Sequence, residues 1–314
     1  MSFDLTFGGA LRIPLIVAPM FLVSTPEMAL AVCSEGAMGS FPAHSTRTRE
    51  VFESWLIQME TGVAEMENPA PWAVNLVVHK TNKRMEGDLE LCIKYKVPVV
   101  LTSKGAPDGV FQKIHDYGGV IFHDIASARH AEKALAAGAD GLIAVCGGAG
   151  GHTGTVNPFA LMNEIRGLTD KPIVLSGALS TGRDIVAAKA MGADLAYMGT
   201  RFINSTESGA GDEYREMIES CSAKDVFFTA ALDGAPANFL IPSLLNMGID
   251  LDALSATKPG DIVADNAAKQ RFSRIFSAGH GVGMVGSPTS AAEITRQLRR
   301  EFEAAKTVIG KSIS

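Results

Sequence analysis

Short, nearly uninterrupted apolar runs alternate along this chain with stretches in which apolar residues return every three or four positions. The runs fall at 15–18, 37–40, 73–78, 97–102, 120–123, 141–145, 172–176 and 195–199. An apolar run without polar alternation predicts a strand buried on both faces, as in a parallel sheet covered by helices. The segments between them, such as 127–137 with Ala131, Ala134 and Leu135, and 183–191, predict those helices. Eight strand-then-helix steps are the number that closes a (β/α)8 TIM barrel, so the predicted fold class is α/β. An open doubly wound sheet gives similar local signals and stands as the alternative.

The pattern repeats internally. Gly138-Ala139-Asp140 precedes the sixth run, and Gly192-Ala193-Asp194 precedes the eighth, 54 positions later. Each glycine is placed to end a helix in the left-handed conformation and turn the chain into a strand. After Phe202 the alternation stops. Residues 212–222 read as helical, Pro- and Gly-bearing helical pieces follow, and 290–308 predicts an amphipathic helix with Ile294, Leu298, Phe302 and Ala305 on one face. The expected organisation is a barrel from 1–204 and 271–314, with 205–270 as a small helical substrate or lid domain.

Composition narrows the partners. The 314 residues are 46% hydrophobic and 20% charged, as in a folded protein with a large core. A net charge of −6 without any Lys/Arg run argues against nucleic acid. The longest uncharged apolar stretch, 13–23, holds two prolines and is too short for a bilayer. The first residues lack a basic segment leading into an apolar one. A cytoplasmic enzyme without a membrane partner is expected, and a homodimer is compatible with it. Cys33, Cys92, Cys146 and Cys221 lie far apart, and no histidine pair has ligand spacing with a carboxylate, so no metal site is expected.

Barrels place their active sites at the carboxyl ends of the strands. The sixth run empties into residues 146–154, CGGAGGHTG, where backbone can approach a ligand closely and one imidazole, His152, can act as acid or base. Cys146, which opens this loop, is expected to pack. The seventh run ends Ser176-Gly177-Ala178 and the eighth Gly199-Thr200-Arg201. Small residues and hydroxyls there suit a phosphate held by backbone N–H groups and a helix N-terminus. The first run ends Ala18-Pro19-Met20, the third contains Asn75, the fourth ends Ser103-Lys104-Gly105, and the fifth ends His123-Asp124. His123 either faces the site or is a buried, satisfied histidine.

With these residues assembled, the chain resembles the nitronate monooxygenase family, formerly 2-nitropropane dioxygenases, nearly from end to end. AGGHTG at 149–154 is similar to the family's AGGHxG signature, and SAGHGVG at 277–283 to its SAGQGVG. Pro19-Met20, Val74-Asn75-Leu76 and MGTRF at 198–202 add to the likeness. The resemblance implies an FMN-dependent barrel enzyme. It implies that Met20 lies by the flavin ring with its backbone and Asn75 hydrogen-bonds the cofactor. Gly177, Ala178, Gly199 and Thr200 would cradle the phosphate, and Ser277 and Gly279 would approach the ring. Ala18, Gly151 and Ser176 would join the cofactor site, with His123 where a lysine often contacts the flavin. His152 would be the catalytic base or orient the substrate. Val145 and Gly148 replace a Gln and a Glu common upstream of AGGH, His280 replaces Gln, and Ala178 replaces the second glycine of a pair.

The leading expectation is FMN-dependent oxidation of a nitronate, or of the parent nitroalkane, by O2 to a carbonyl compound and nitrite. The alternatives are an FMN-dependent NAD(P)H reductase of the enoyl-acyl-carrier-protein or quinone type, a cofactor-free barrel lyase or isomerase acting on a phosphorylated metabolite, and a non-catalytic ligand-binding protein.

Overall fold

The computed structural model describes residues 10–313 except 80, 106–108, 233, 258–260 and 262–273. Eight strands, β1 (Leu15–Val17), β2 (Ser40–Pro42), β3 (Ala73–Val77), β4 (Val99–Ser103), β5 (Val120–Ile125), β6 (Gly141–Val145), β8 (Ile173–Ser176) and β9 (Leu195–Met198), form one parallel sheet in the order β1-β9-β8-β6-β5-β4-β3-β2. A parallel bridge between Ile16 and Met38 joins its two ends. There Val17 N–H donates to Met38 O at 2.8 Å and Met38 N–H to Leu15 O at 2.9 Å. The sheet therefore closes into the expected TIM barrel, and the open alternative falls.

Helices α1 (Pro26–Ser34), α2 (Arg49–Ala64), α3 (Met85–Lys94), α4 (Val110–His115), α5 (Ala128–Ala136), α6 (Pro158–Arg166) and α7 (Gly182–Ala190) surround it. Local chemistry sets where several begin. Thr25, Thr48, Ser127, Asn157 and Thr181 each accept a hydrogen bond from a first-turn N–H. The C-terminal helix Ala291–Ile313 buries Ile294, Leu298 and Phe302 with Ile185 of α7 and Met28 and Val32 of α1.

The repeated Gly-Ala-Asp motif has a three-dimensional counterpart. Gly138 and Gly192 are left-handed, with φ of 98° and 93°. Asp140 accepts from Ile121 N–H at 2.9 Å and contacts His115 Nε2 at 2.9 Å; Asp194 accepts from Ile173 N–H at 2.8 Å and from Arg166 at 2.7 Å. Each aspartate thus ties the start of the preceding strand to a basic side chain. These ties sit at the amino ends of the strands, the face that carries stability rather than chemistry.

The strand stagger fixes what shares a height inside the barrel. Asn75 pairs with Leu101, and Leu101 with Phe122. Each lateral step falls toward the amino end by about one residue, which gives the total shear of about eight expected of this barrel. Allowing for that slope, Asn75 on β3, Asp124 on β5, Ser176 on β8 and Ala18 at the exit of β1 form one four-residue layer near the carboxyl end. Beneath it the lumen is filled mainly by apolar residues, among them Leu101, Phe122, Ile143, Val174 and Ile16.

The segment after Phe202 holds α8 (Asp212–Ser220), α9 (Ile241–Asn246) and α10 (Leu251–Ala256), in keeping with a helical insertion. It also holds an antiparallel ribbon of β10 (Val226–Thr229) and β11 (Ala237–Leu240), and β11 pairs with β7 (Gly151–His152). The ribbon's strands are four residues each, too short to stand out as a pattern. The expected boundary at 270/271 lies outside the described residues. Among the described residues no helix is long and apolar enough to cross a membrane.

Candidate active site

The exits of β8 and β9 build a small backbone-walled floor. Gly177 has φ 145° and Ala178 φ 58°, so the chain turns sharply as it leaves β8. Gly199 leads into a 3-10 turn, Thr200–Phe202. A Cβ on Gly199 would lie 3.1 Å from Met20 Sδ and 3.4 Å from Ala18 Cβ, so the β1 and β9 exits touch. The glycine loop closes from the other side. A Cβ on Gly150 would stand 2.7 Å from Gly279 N and 3.0 Å from Thr200 Oγ1. Gly279 N–H donates to Thr200 Oγ1 at 2.9 Å, and His280 N–H to Gly148 O at 3.0 Å. Glycines let these backbones come this close, with the Thr200 hydroxyl at the junction and the His280 ring beside Gly148.

One element of the expected phosphate site is corrected. The first turn of α7 is already occupied by carboxylates. Asp184 accepts from the N–H groups of Ser180 and Thr181 at 2.8 Å each, and Glu301 from Gly182 N–H at 2.8 Å. A phosphate there would meet two like charges. The other part of that expectation, the turns at Gly177–Ala178 and Gly199–Thr200, lies at the carboxyl ends of β8 and β9.

The imidazole of His152 stands at the mouth. Its strand β7 runs antiparallel to β11, with His152 opposite Ala237, and Thr153 N–H donates to Pro236 O at 3.0 Å. Asn238 Nδ2 donates to Ala149 O at 2.7 Å. The glycine loop is therefore stitched to the β10–β11 ribbon. His152 is exposed, and its Nε2 lies 2.9 Å from Lys104 Nζ. Lys104, left-handed at φ 55°, ends β4. Sequence reasoning noted its place and gave it no role. Its signal was position alone, at a strand's carboxyl end. His44 belongs to the same cationic neighbourhood. Burial, and then the charges of Arg84, Lys104 and His152, hold its pKa below the usual histidine value. Phe21 stacks on its ring at 5.1 Å.

The lumen layer brings Ala18, Asn75 and Ser176 together. Asn75 Nδ2 donates to Leu101 O at 3.0 Å and Ser103 Oγ at 3.3 Å, leaving its carbonyl oxygen as the acceptor offered inward. His123 is corrected. It faces out of the barrel, with Nδ1 2.7 Å from Thr102 Oγ1 and its ring against Phe111 at 5.9 Å. Burial pushes its pKa down to about 4, so it is a neutral packed residue. Successive strand residues face opposite ways, so the residue facing the lumen is its neighbour Asp124. Burial pushes that carboxyl up to about 7, and its Oδ1 is buried without a hydrogen-bond partner.

Three further expectations take concrete form. The backbone of Met20 is used within its own turn, where its N–H donates to Ser24 Oγ at 2.9 Å and its carbonyl accepts from Val23 and Ser24. Only the Met20 side chain is left for a ligand, not its backbone. Ser277 and Gly279 lie on a strap over the floor. Tyr214 donates its hydroxyl to Ser277 O and stacks on Phe276 at 4.4 Å. Cys146 is buried, its thiol pushed up to about 12 by burial, so it packs rather than attacks.

Comparison with known proteins gives this arrangement a family. The nitronate monooxygenase family model matches residues 64–301. A nitronate monooxygenase of Paraburkholderia phytofirmans is 27% identical over 92% of this chain and 92% of its own. A (3aS,4S,5R,7aS)-5-hydroxy-7a-methyl-1-oxo-octahydro-1H-indene-4-carboxyl-CoA dehydrogenase of Rhodococcus jostii is 28% identical over 74% of this chain; the match spans 64% of that relative, less than two thirds of its length. Among solved structures, FabK of Thermotoga maritima is 25% identical and superposes with a TM-score of 0.80 over 99% of each chain. The chain belongs to the nitronate monooxygenase family, and with it to the flavin-dependent oxidoreductases.

Proposed function

We propose that this member of the nitronate monooxygenase family binds FMN and oxidises an alkyl nitronate with O2, giving a carbonyl compound and nitrite. The observation that carries the reading is the convergence of Gly150, Thr200 and Gly279 beside the Gly177–Ala178 and Gly199 turns, under a mouth that holds His152 and Lys104. The residues present fit the group. The floor is mostly glycine backbone with the short side chains of Ala178 and Thr200, the lumen layer below offers Asn75, Ser176 and Asp124, and the buried Asp124 Oδ1 has no hydrogen-bond partner.

FMN, when bound, supplies the electron transfer. The chain's own groups bind and orient. The N–H groups of the two glycine turns hold the phosphate, and Met20 packs beside Gly199. The imidazole of His152, whose Nε2 accepts from the Lys104 ammonium, takes the α-proton of a neutral nitroalkane as that ammonium turns to the nitro group. The Lys104 ammonium, 2.9 Å away, stabilises the negative charge that then develops on the nitro oxygens. A substrate that arrives already ionised needs only the cation. The β10–β11 ribbon, paired to β7 at His152, borders this mouth and limits the entry of water.

A second reading keeps the same floor and changes the electron donor to NAD(P)H. The similarity to a carboxyl-CoA dehydrogenase favours keeping it in view, because it widens the substrates this barrel serves. One experiment separates them. The purified protein should be yellow with about one FMN per chain, and anaerobic addition of a nitronate should bleach it. Bleaching by NADH or NADPH but not by a nitronate would move the reading to the reductase. A colourless protein that cannot be reconstituted with FMN would end the flavin reading.

A further inference from the structure

The lumen layer has four members. Three of them, Ala18, Asn75 and Ser176, were expected at the cofactor from sequence. The fourth, Asp124, has no role in the chemistry above. Its surroundings make it unusual. On β4 it neighbours Leu101 and Ser103, on β6 Ile143 and Val145, and across the lumen Asn75, Ser176 and Ala18, none of them titratable. Tyr197, in the layer beneath, is the group whose ionisation Asp124 opposes. Lys104 and His152 pair with each other at the mouth, and His123 on the same strand faces outward. Among the described residues no salt bridge reaches Asp124.

A carboxyl set among apolar strands with one oxygen unpaired is costly to the fold, and an apolar side chain would fill the layer without that cost. The barrel's own packing therefore gives no reason for an acid at this position. Asp124 is only part-buried, and its layer lies at the carboxyl end of the lumen, the end at which the Gly177–Ala178 and Gly199 turns leave their strands. We propose that Asp124 is a cofactor-contacting residue whose carboxyl hydrogen-bonds the flavin ring seated over the lumen, as donor in its protonated form. The inference rests on the flavin reading and adds to it a residue that this reading does not require.

The proposal carries a sign. A ring seated over the layer removes the last water from the carboxyl, so flavin binding favours the protonated form. By reciprocity, protonation favours flavin binding. Affinity should then fall as pH rises through the titration of Asp124.

The test is a fluorescence titration of apoprotein with riboflavin, which has no phosphate to ionise, and in parallel with FMN, from pH 6 to 9. The wild type is compared with Asp124→Asn. The wild-type Kd for riboflavin should rise at least tenfold across that range, since one linked proton changes affinity by up to about tenfold per pH unit. Asp124→Asn, neutral at every pH, should hold its affinity near the wild-type acid-side value. A wild-type Kd that is flat from pH 6 to 9 overturns the proposal even if the variant fails to fold. Parallel wild-type and variant curves overturn it while leaving the flavin reading intact. A wild type that binds neither flavin at any pH overturns the flavin reading and this inference with it.

Discussion

Lys104 Nζ lies 2.9 Å from His152 Nε2, although the two residues are 48 positions apart and come from different strand exits. A base and a fixed positive charge side by side are suited to making a carbanion-like anion and keeping it. In the proposed reaction the imidazole removes the proton, and the ammonium meets the charge that removal creates.

That division predicts an asymmetry for His152→Asn. Turnover of a neutral nitroalkane should fall by about 10²–10⁴-fold, the usual cost of losing a general base. A pre-ionised nitronate should lose much less, and FMN content should not change. Steady-state kinetics on both substrate forms decide it. Equal losses would make His152 an orienting residue, and no loss for either form would remove it from the site.

Lys104→Met should show the complementary pattern. The nitronate loses a charge-assisted hydrogen bond, so its kcat/KM should fall by about 10–100-fold. A nitronate kcat/KM within twofold of wild type would show that the ammonium does not face the substrate.

Gly199→Asp probes the floor. Gly199 has φ −105°, which any residue adopts, and the new Cβ would press only on the flexible Met20 side chain at 3.1 Å. The fold should survive. A carboxylate beside the phosphate should weaken FMN binding by several kcal/mol at order of magnitude. A soluble, folded variant with wild-type FMN occupancy would place the phosphate elsewhere.

Ala178 is a non-glycine residue at φ 58°, where a Cβ crowds the backbone. Ala178→Gly should raise the unfolding free energy by about 0.5–1 kcal/mol, strain relief offset in part by the greater freedom of an unfolded glycine. Urea denaturation of the apoprotein measures it. A loss of stability would mean that the methyl group packs favourably enough to outweigh its strain.

His123 and Asp124 pull stability in opposite directions with pH. His123 has a folded pKa of about 4 against an unfolded value of about 6.5, so it destabilises as pH falls through that interval. Asp124 has a folded pKa of about 7 against an unfolded value of about 3.9, so the stability it contributes in acid is lost as pH rises toward 7. Between pH 4 and 6.5 the two slopes nearly cancel. Asp124→Asn removes one of them. The advantage of this variant over wild type should grow from near zero at pH 4 to a few kcal/mol at pH 7 in the apoprotein. A difference that does not vary with pH would show that Asp124 does not titrate in this range.

The barrel was legible in the sequence because both faces of every strand are buried, which leaves uninterrupted apolar runs. The candidate site was legible where glycine lets backbone approach backbone, as at Gly150 and Gly279. It was illegible where geometry turns on one residue. Choosing His123 over Asp124 is a slip of a single position, and a buried strand with no polar alternation gives no hint of which face looks inward. The ribbon was missed for a different reason. The partner of β7 lies some 85 positions downstream, and no local pattern reports a pairing that distant.

The antiparallel seam between β7 and β11 separates what this protein can change from what it must keep. His152 is paired to the ribbon, while the Gly177–Ala178 and Gly199 turns and the lumen layer belong to the barrel. Lengthening, shortening or replacing the ribbon would re-aim the imidazole and reshape the entrance together, and would reach the glycine loop through the Asn238–Ala149 hydrogen bond. Editing one hairpin therefore changes the entrance while the barrel strands stay as they are, and a protein engineer can graft at the same seam.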